Sequence, residues 1–148
     1  MLADPEESRS HGQILLALGL CGSPDAMAAI LGWIETPRTG EIDRDTFKAW
    51  QALPYALGHL ARHDRRALGQ LERLMNADAP GWTFRHHRGA RLLRLARRAA
   101  ANSLAETGLP EARGALDRAG RDVSDARFQE HLQSVRALHA ERARERAE

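Results

Sequence analysis

Six arginines, Arg85, Arg88, Arg91, Arg94, Arg97 and Arg98, crowd into a stretch with no acidic residue between Asp78 and Glu106. Guanidinium groups at that density suit phosphate oxygens, and a run of them could track a nucleic-acid backbone. Helical spacing argues for a plainer role. At ~100° per residue, Leu92, Ala96, Ala99 and Ser103 define one face, and Arg91, Arg94 and Arg98 lie opposite it. The series reads as the solvated face of an outer helix.

The other reactive side chains are scattered. His59 and His63 stand at i, i+4, a spacing that can hold a metal from one helix face, but only Asp64 is near enough to complete a set. Asp64 is better placed as a helix cap. His86 and His87 lie beside Trp82, Phe84 and Arg85; adjacent histidines point apart on a helix, and positions 90 and 91 are Ala and Arg. They read as surface or loop-packing residues. Cys21, the only cysteine, has no His or Asn near it and falls on an apolar stretch. It reads as a small buried hydrophobe, not a nucleophile. No Gly-rich phosphate loop, G-x-S-x-G elbow, H-E-x-x-H pair or C-x-x-C motif is present. No nucleophile is paired with a base. The expectation is therefore no enzymatic activity, no cofactor and no metal.

Contact residues are sought instead. Trp50 falls on the core side of its helix, whereas Trp33 and Trp82 lie near a helix end and in a loop. Arg66, Gln70 and Arg73 share a helical stripe by spacing. Arg113 and Asp117 point outward from a later helix, as Trp33 and Glu35 do from an earlier one. The predicted partner-binding set is thus Trp33, Arg66, Gln70, Arg73, Arg113 and Asp117. Its mixed, mainly basic character suits an acidic peptide or protein.

Seven helices must position these groups. The first runs from about Ser10 to Cys21, with Ile14, Leu15, Leu18 and Cys21 on one face, and Gly22 ends it. Ser23 caps the second, with Pro24 at the first helical position and Met27, Ile30, Leu31 and Ile34 inward. Asp43 caps the third, with Ile42 and Phe47 placed for a hydrophobic staple. The third helix continues through Trp50, Leu53, Leu57 and Leu60, and Pro54 should bend it without ending it. Asp64 starts the fourth, with Leu68, Leu71, Leu74 and Met75 inward. The fifth spans about Thr83 to Thr107 and stops at Gly108. Pro110 opens the sixth, which buries Ala112, Ala115, Leu116 and Ala119 and closes at Gly120. Ser124 caps the seventh, with Phe128, Leu132, Val135 and Leu138 or His139 inward. The whole chain, 1–148, reads as a single domain ordered over about 8–140, and 141–148 as a charged tail that frays.

Composition agrees with an all-α chain. Leu and Ala dominate, aromatics are 5%, and β-branched residues are few. Basic residues are 21 Arg and the single Lys48 for a net charge of +2, too little to support many phosphate contacts. A lone thiol rules out an intramolecular disulfide. No apolar run approaches the ~20 residues of a membrane helix. The opening M-L-A-D-P-E-E-S lacks the basic and apolar regions of a signal peptide. A cytoplasmic location without membrane association is expected, and the same sequence would suit a fragment of a longer chain.

One pattern recurs three times: A17-L-G-L-C-G-S-P-D-A-M-A-A-I-L31, A56-L-G-H-L-A-R-H-D-R-R-A-L-G-Q-L71 and S103-L-A-E-T-G-L-P-E-A-R-G-A-L116. Their starts are 39 and 47 residues apart, a period of stacked helical hairpins. The turns G22-S-P-D-A26 and G108-L-P-E-A112, each A-L-G before a turn, and Pro54 within a first helix resemble HEAT repeats over about residues 10–120. The second copy departs, with A61-R-H-D64 in place of the G-x-P-acid turn, and the loop at 36–42 is long. The resemblance implies a short right-handed α-solenoid of about three HEAT-like hairpins plus a C-terminal helix, either free-standing or part of a longer array. It implies a non-catalytic protein–protein scaffold that uses the concave row of second helices. The alternative is a nucleic-acid-binding module similar to the HEAT-like DNA glycosylases, whose cationic concave face is not found here. HEAT-like bilin lyases share only the repeat.

Overall fold

In the computed structural model of the protein, residues 10–36, 44–76, 87–122 and 125–148 are described, except for the side chains of 87–90 and 122. They form seven α-helices: α1 His11–Cys21, α2 Pro24–Glu35, α3 Arg44–Leu60, α4 Arg66–Met75, α5 His87–Thr107, α6 Pro110–Asp122 and α7 Ala126–Ala147. The described chain is all-α.

Local chemistry sets most boundaries. Gly22 ends α1 with φ 69°, a left-handed backbone in which an L side chain is strained. A Cβ there would also sit 2.6 Å from the His63 ring. The Ser23 hydroxyl then accepts from the Ala26 N–H at 3.1 Å, and Pro24 opens α2. Gly108 repeats the device between α5 and α6, with φ 62°. The α3 helix continues through Pro54, whose missing N–H is offset by burial of the surrounding apolar face.

The odd-numbered helices form a row, α1 against α3, α3 against α5 and α5 against α7. Small residues bring the first two pairs close. A Cβ on Gly19 would lie 2.6 Å from the Ala56 carbonyl oxygen, and one on Gly12 would touch Ala49 at 3.7 Å. Both pairs have the same offset (49 − 12 and 56 − 19), so α1 and α3 run parallel. Gly58 plays the same part between α3 and α5, where a Cβ would stand 3.1 Å from that of Ser103. The even helices cover this row, and α4 packs extensively on α5 as well as on α3. Trp50, Leu53, Leu57 and Leu60 of α3 and Leu71 and Met75 of α4 are fully enclosed, as are Leu104 of α5 and Leu132 of α7.

Several sequence expectations change. Cys21 is exposed. The buried stripe of α1 is His11, Leu15 and Gly19, because the close approach to α3 follows the glycines. The apolar spread of α1 therefore leaves Leu20 70% exposed on its outer side. The α6 helix does not close at Gly120 but continues to Asp122. Asp125 caps α7 by accepting from the backbone N–H groups of Arg127 and Phe128. The expected charged tail is helical through Ala147, tied down where Arg142 bonds Glu106 of α5 at 2.8 Å and Glu145 at 3.1 Å. His139, rather than Leu138, is the buried member of the α7 stripe. Its Nε2–H donates to the Leu109 carbonyl at 2.7 Å. Asp43, Ile42, Trp82, His86 and Ser124 lie outside the described residues.

Candidate interaction surfaces

Trp33 is buried at 2% exposure and is not an outward contact residue. It lies in the same stripe as Ala26 and Ile30, at i+7 and i+3, and this stripe faces the core. Its ring packs 5.0 Å from that of Trp50, and its indole N–H donates to His11 Nδ1 at 3.2 Å. The aromatic pair is core packing between the first two hairpins.

Arg66, Gln70 and Arg73 share one side of α4. Arg66 and Arg73 are exposed and Gln70 is half-buried, while Leu68 and Leu71 on the opposite side are enclosed. Arg66 is also part of the helix start. The Asp64 carboxylate accepts from the Arg66 backbone N–H at 3.0 Å and from its guanidinium at 2.7 Å. Asp64 thus caps α4 from two positions before its first helical residue, as its spacing suggested. The hydrogen bond from Arg66 holds this carboxyl below the usual carboxylate range, with partial burial opposing it. Because the folded-state pKa is lowered, the contribution is intact at neutral pH. It is lost only as the pH falls through that lowered value.

Arg113 and Asp117 are not beside that ridge. Parallel ion pairs join α4 to α6, Arg65 to Glu111 at 3.9 Å and Arg118 to Glu72 at 2.7 Å. The side of α4 that meets α6 therefore carries positions 65 and 72. At ~100° per residue, 66, 70 and 73 lie about a third of a turn around α4 from that side. Arg113 instead pairs with Asp117 at 3.1 Å, and Asp117 lies 3.5 Å from Arg136 Nε of α7. The predicted six-residue set thus divides into a buried Trp33, a ridge on one flank of α4, and an ion pair that faces α7.

Two clefts lie on the odd row. One of about 550 Å³ opens between α3 and α5, lined by Tyr55, His59, Arg62, Asn102, Ser103 and Glu106. Gly58 lies in its lining, at the point where α3 comes close to Ser103 of α5. No hydrogen bond links His59, Ser103 and Glu106 among the described residues, and Glu106 is engaged by Arg142. These residues do not form a nucleophile–base relay.

The second cleft, about 370 Å³, lies between α5 and the start of α7. Arg91, Arg94, Arg97, Arg98 and Arg127 line it, with Asp125 the only carboxylate among the lining residues. Arg97 is fixed in place: its Nε donates to the Met75 carbonyl at 3.0 Å, and its guanidinium lies 4.3 Å above the Phe128 ring. Arg91, Arg94, Arg98 and Arg127 have no acidic partner among the described residues. The expectation of a solvated face holds for the exposure of Arg91, Arg94 and Arg98. It missed the convergence with Arg127, because Arg127 belongs to another helix almost thirty positions on. The only signal available was the capping pattern at the start of α7.

Among the described residues, no group of three His, Cys, Asp or Glu side chains could hold a metal, and no helix is long and apolar enough to cross a membrane. Comparison with protein-family models, with curated proteins and with solved structures found no match to this chain.

Proposed function

We propose that the chain is a non-catalytic protein-interaction module built as a short right-handed α-solenoid of HEAT-like hairpins. The observation that carries this reading is the parallel register of successive hairpins. First helices meet at a constant offset through Gly12–Ala49 and Gly19–Ala56. Second helices meet at a constant offset through Arg65–Glu111 and Glu72–Arg118. Equivalent helices related by near-translation are what stacked repeats produce, and the rows they form present extended surfaces for protein partners. The surface assigned to the partner is the α4 ridge of Arg66, Gln70 and Arg73, and the partner is an acidic peptide or protein.

The alternative, a nucleic-acid-binding module, draws support from the arginine cleft at α5 and α7. It is weakened by a net charge of +2, which permits few counterion-releasing contacts.

The test is a co-purification with partners identified by mass spectrometry. Arg66→Glu/Arg73→Glu should lose the partner, and Arg144→Glu/Arg146→Glu, at the far end of α7, should keep it. Because Arg66→Glu sets a carboxylate beside Asp64, Arg66→Gln/Arg73→Gln is the second variant. Thermal unfolding should place the double glutamine variant within ~0.5 kcal/mol of wild type. A partner retained by both ridge variants overturns the surface assignment.

A further inference from the structure

We propose that the cleft between α5 and α7 is a binding site for a phosphorylated segment of a protein partner, with the phosphoryl dianion held by Arg94, Arg98 and Arg127. This rests on the reading of the chain as a protein-interaction module and adds a second, chemically specific surface to it. The argument begins with charge. Five arginines and one aspartate line the cleft, a local excess of four positive charges in a chain whose total is +2. Four of these arginines have no acidic partner among the described residues, whereas Arg66, Arg113, Arg118 and Arg142 are all paired with carboxylates. Like charges brought together without counter-charge cost stability. A bound dianion removes that cost, and guanidinium forks match phosphoryl oxygens two at a time.

Geometry adds preorganisation. Arg97 is locked between the Met75 carbonyl and the Phe128 ring, so it presents a fixed positive floor. The walls come from two different helices, α5 and α7, which gives a pocket rather than a flat patch. Its volume of about 370 Å³ lies in the range of small-ligand sites. Asp125 is occupied as the cap of α7, where it accepts from Arg127 N and Phe128 N. As a lining carboxylate it repels an anion placed next to it.

The surroundings favour a peptide over a nucleic acid. Single-stranded binding uses exposed aromatic faces on which bases stack. Among the described residues, the only aromatic ring lining the cleft is Phe128, 4% exposed and covered by Arg97. The basic field is also short. Glu130 is exposed one turn beyond Arg127, and further along the seam Arg142 is shared by Glu106 and Glu145. One compact dianion fits these bounds, and a long run of phosphates does not.

The experiment is fluorescence anisotropy at physiological salt with a labelled Gly-Glu-pSer-Glu-Gly peptide and its unphosphorylated twin. Inorganic phosphate and an oligothymidylate serve as competitors. The phosphorylated peptide should bind at least about tenfold more tightly than the twin, the factor expected for charge-assisted hydrogen bonds to a dianion. Arg94→Gln/Arg98→Gln on α5, and independently Arg127→Gln on α7, should each weaken it about tenfold. Arg144→Glu/Arg146→Glu should bind as wild type. Thermal unfolding of each variant guards against loss of fold, and agreement between variants on two helices excludes a local defect in either. Four outcomes overturn the proposal: no saturable binding, equal affinity for the two peptides, tighter binding of the oligonucleotide, or inorganic phosphate matching the phosphopeptide. The ridge on α4 is read from the co-purified partner and the cleft from the synthetic peptide, so failure of one leaves the other result readable.

Discussion

The α1–α3 seam and the α5–α7 seam have the same parallel arrangement but are closed differently. At the first, Gly12 and Gly19 let backbones touch Ala49 and Ala56, and the interface carries no charge at those contacts. At the second, arginines do the bridging: Arg97 on Phe128, and Arg142 to Glu106. At α1–α3, removing a side chain lets the two backbones meet. Long side chains hold helices together at a distance, and the gap they leave is a cleft lined by their own charges. In one molecule, the glycine seam brings two backbones into contact and the arginine seam leaves a charged cleft.

The comparison is broken most decisively at Gly19. In Gly19→Val the new side chain meets the Ala56 backbone, with the Cβ alone 2.6 Å from its carbonyl oxygen. Backbone cannot rotate aside, so unfolding should show a loss of about 3 kcal/mol, the upper end for overpacking. A variant as stable as wild type would mean that the helices are not in contact there. Arg97→Met is the matching change at the second seam. It keeps an unbranched stem but forfeits the bond to the Met75 carbonyl and the contact with Phe128. The expected loss by chemical denaturation is about 1–2 kcal/mol. A change under ~0.5 kcal/mol would fall to the level of an ordinary surface substitution and leave that seam without its anchor. The smallest effect has the opposite sign. Nothing lies within 4 Å of a Cβ placed on Gly69 of α4. Gly69→Ala should therefore stabilise by about 0.5–1 kcal/mol through backbone entropy alone. A loss of stability would show that Gly69 needs the space.

Much of the fold was legible because its signals are local. Ser23 and Pro24 open α2, Gly22 and Gly108 take up left-handed backbone, and Leu68, Leu71, Leu74 and Met75 mark the buried face of α4 within ten residues. Errors came where local signals were degenerate. Ala137 to Ala147 has no large apolar residue after Leu138, so the apolar pattern gives no reason to continue α7, although Ala, Glu and Arg are strong helix formers. The end of that helix depends on Arg142 reaching Glu106, thirty-six positions away. Local spacing points Trp33 outward although it continues the Ala26–Ile30 stripe, because Leu31 competes for the same core face. The α4 ridge was found as a stripe on its helix, but which flank of α4 meets α6 depended on the Arg118–Glu72 contact.

The amino-acid order by itself determined the helices, most of their caps and the repeat spacing, because these depend on neighbours within one or two turns. The tertiary structure alone decided which glycines become contacts, which of the apolar residues around α1 face inward, and that Arg127 joins Arg91, Arg94 and Arg98 around one cleft. Each of these depends on groups from separate helices meeting in space. Their positions along the chain carry no trace of the meeting, since a helix fixes the direction of a side chain relative to its own axis and not relative to another helix.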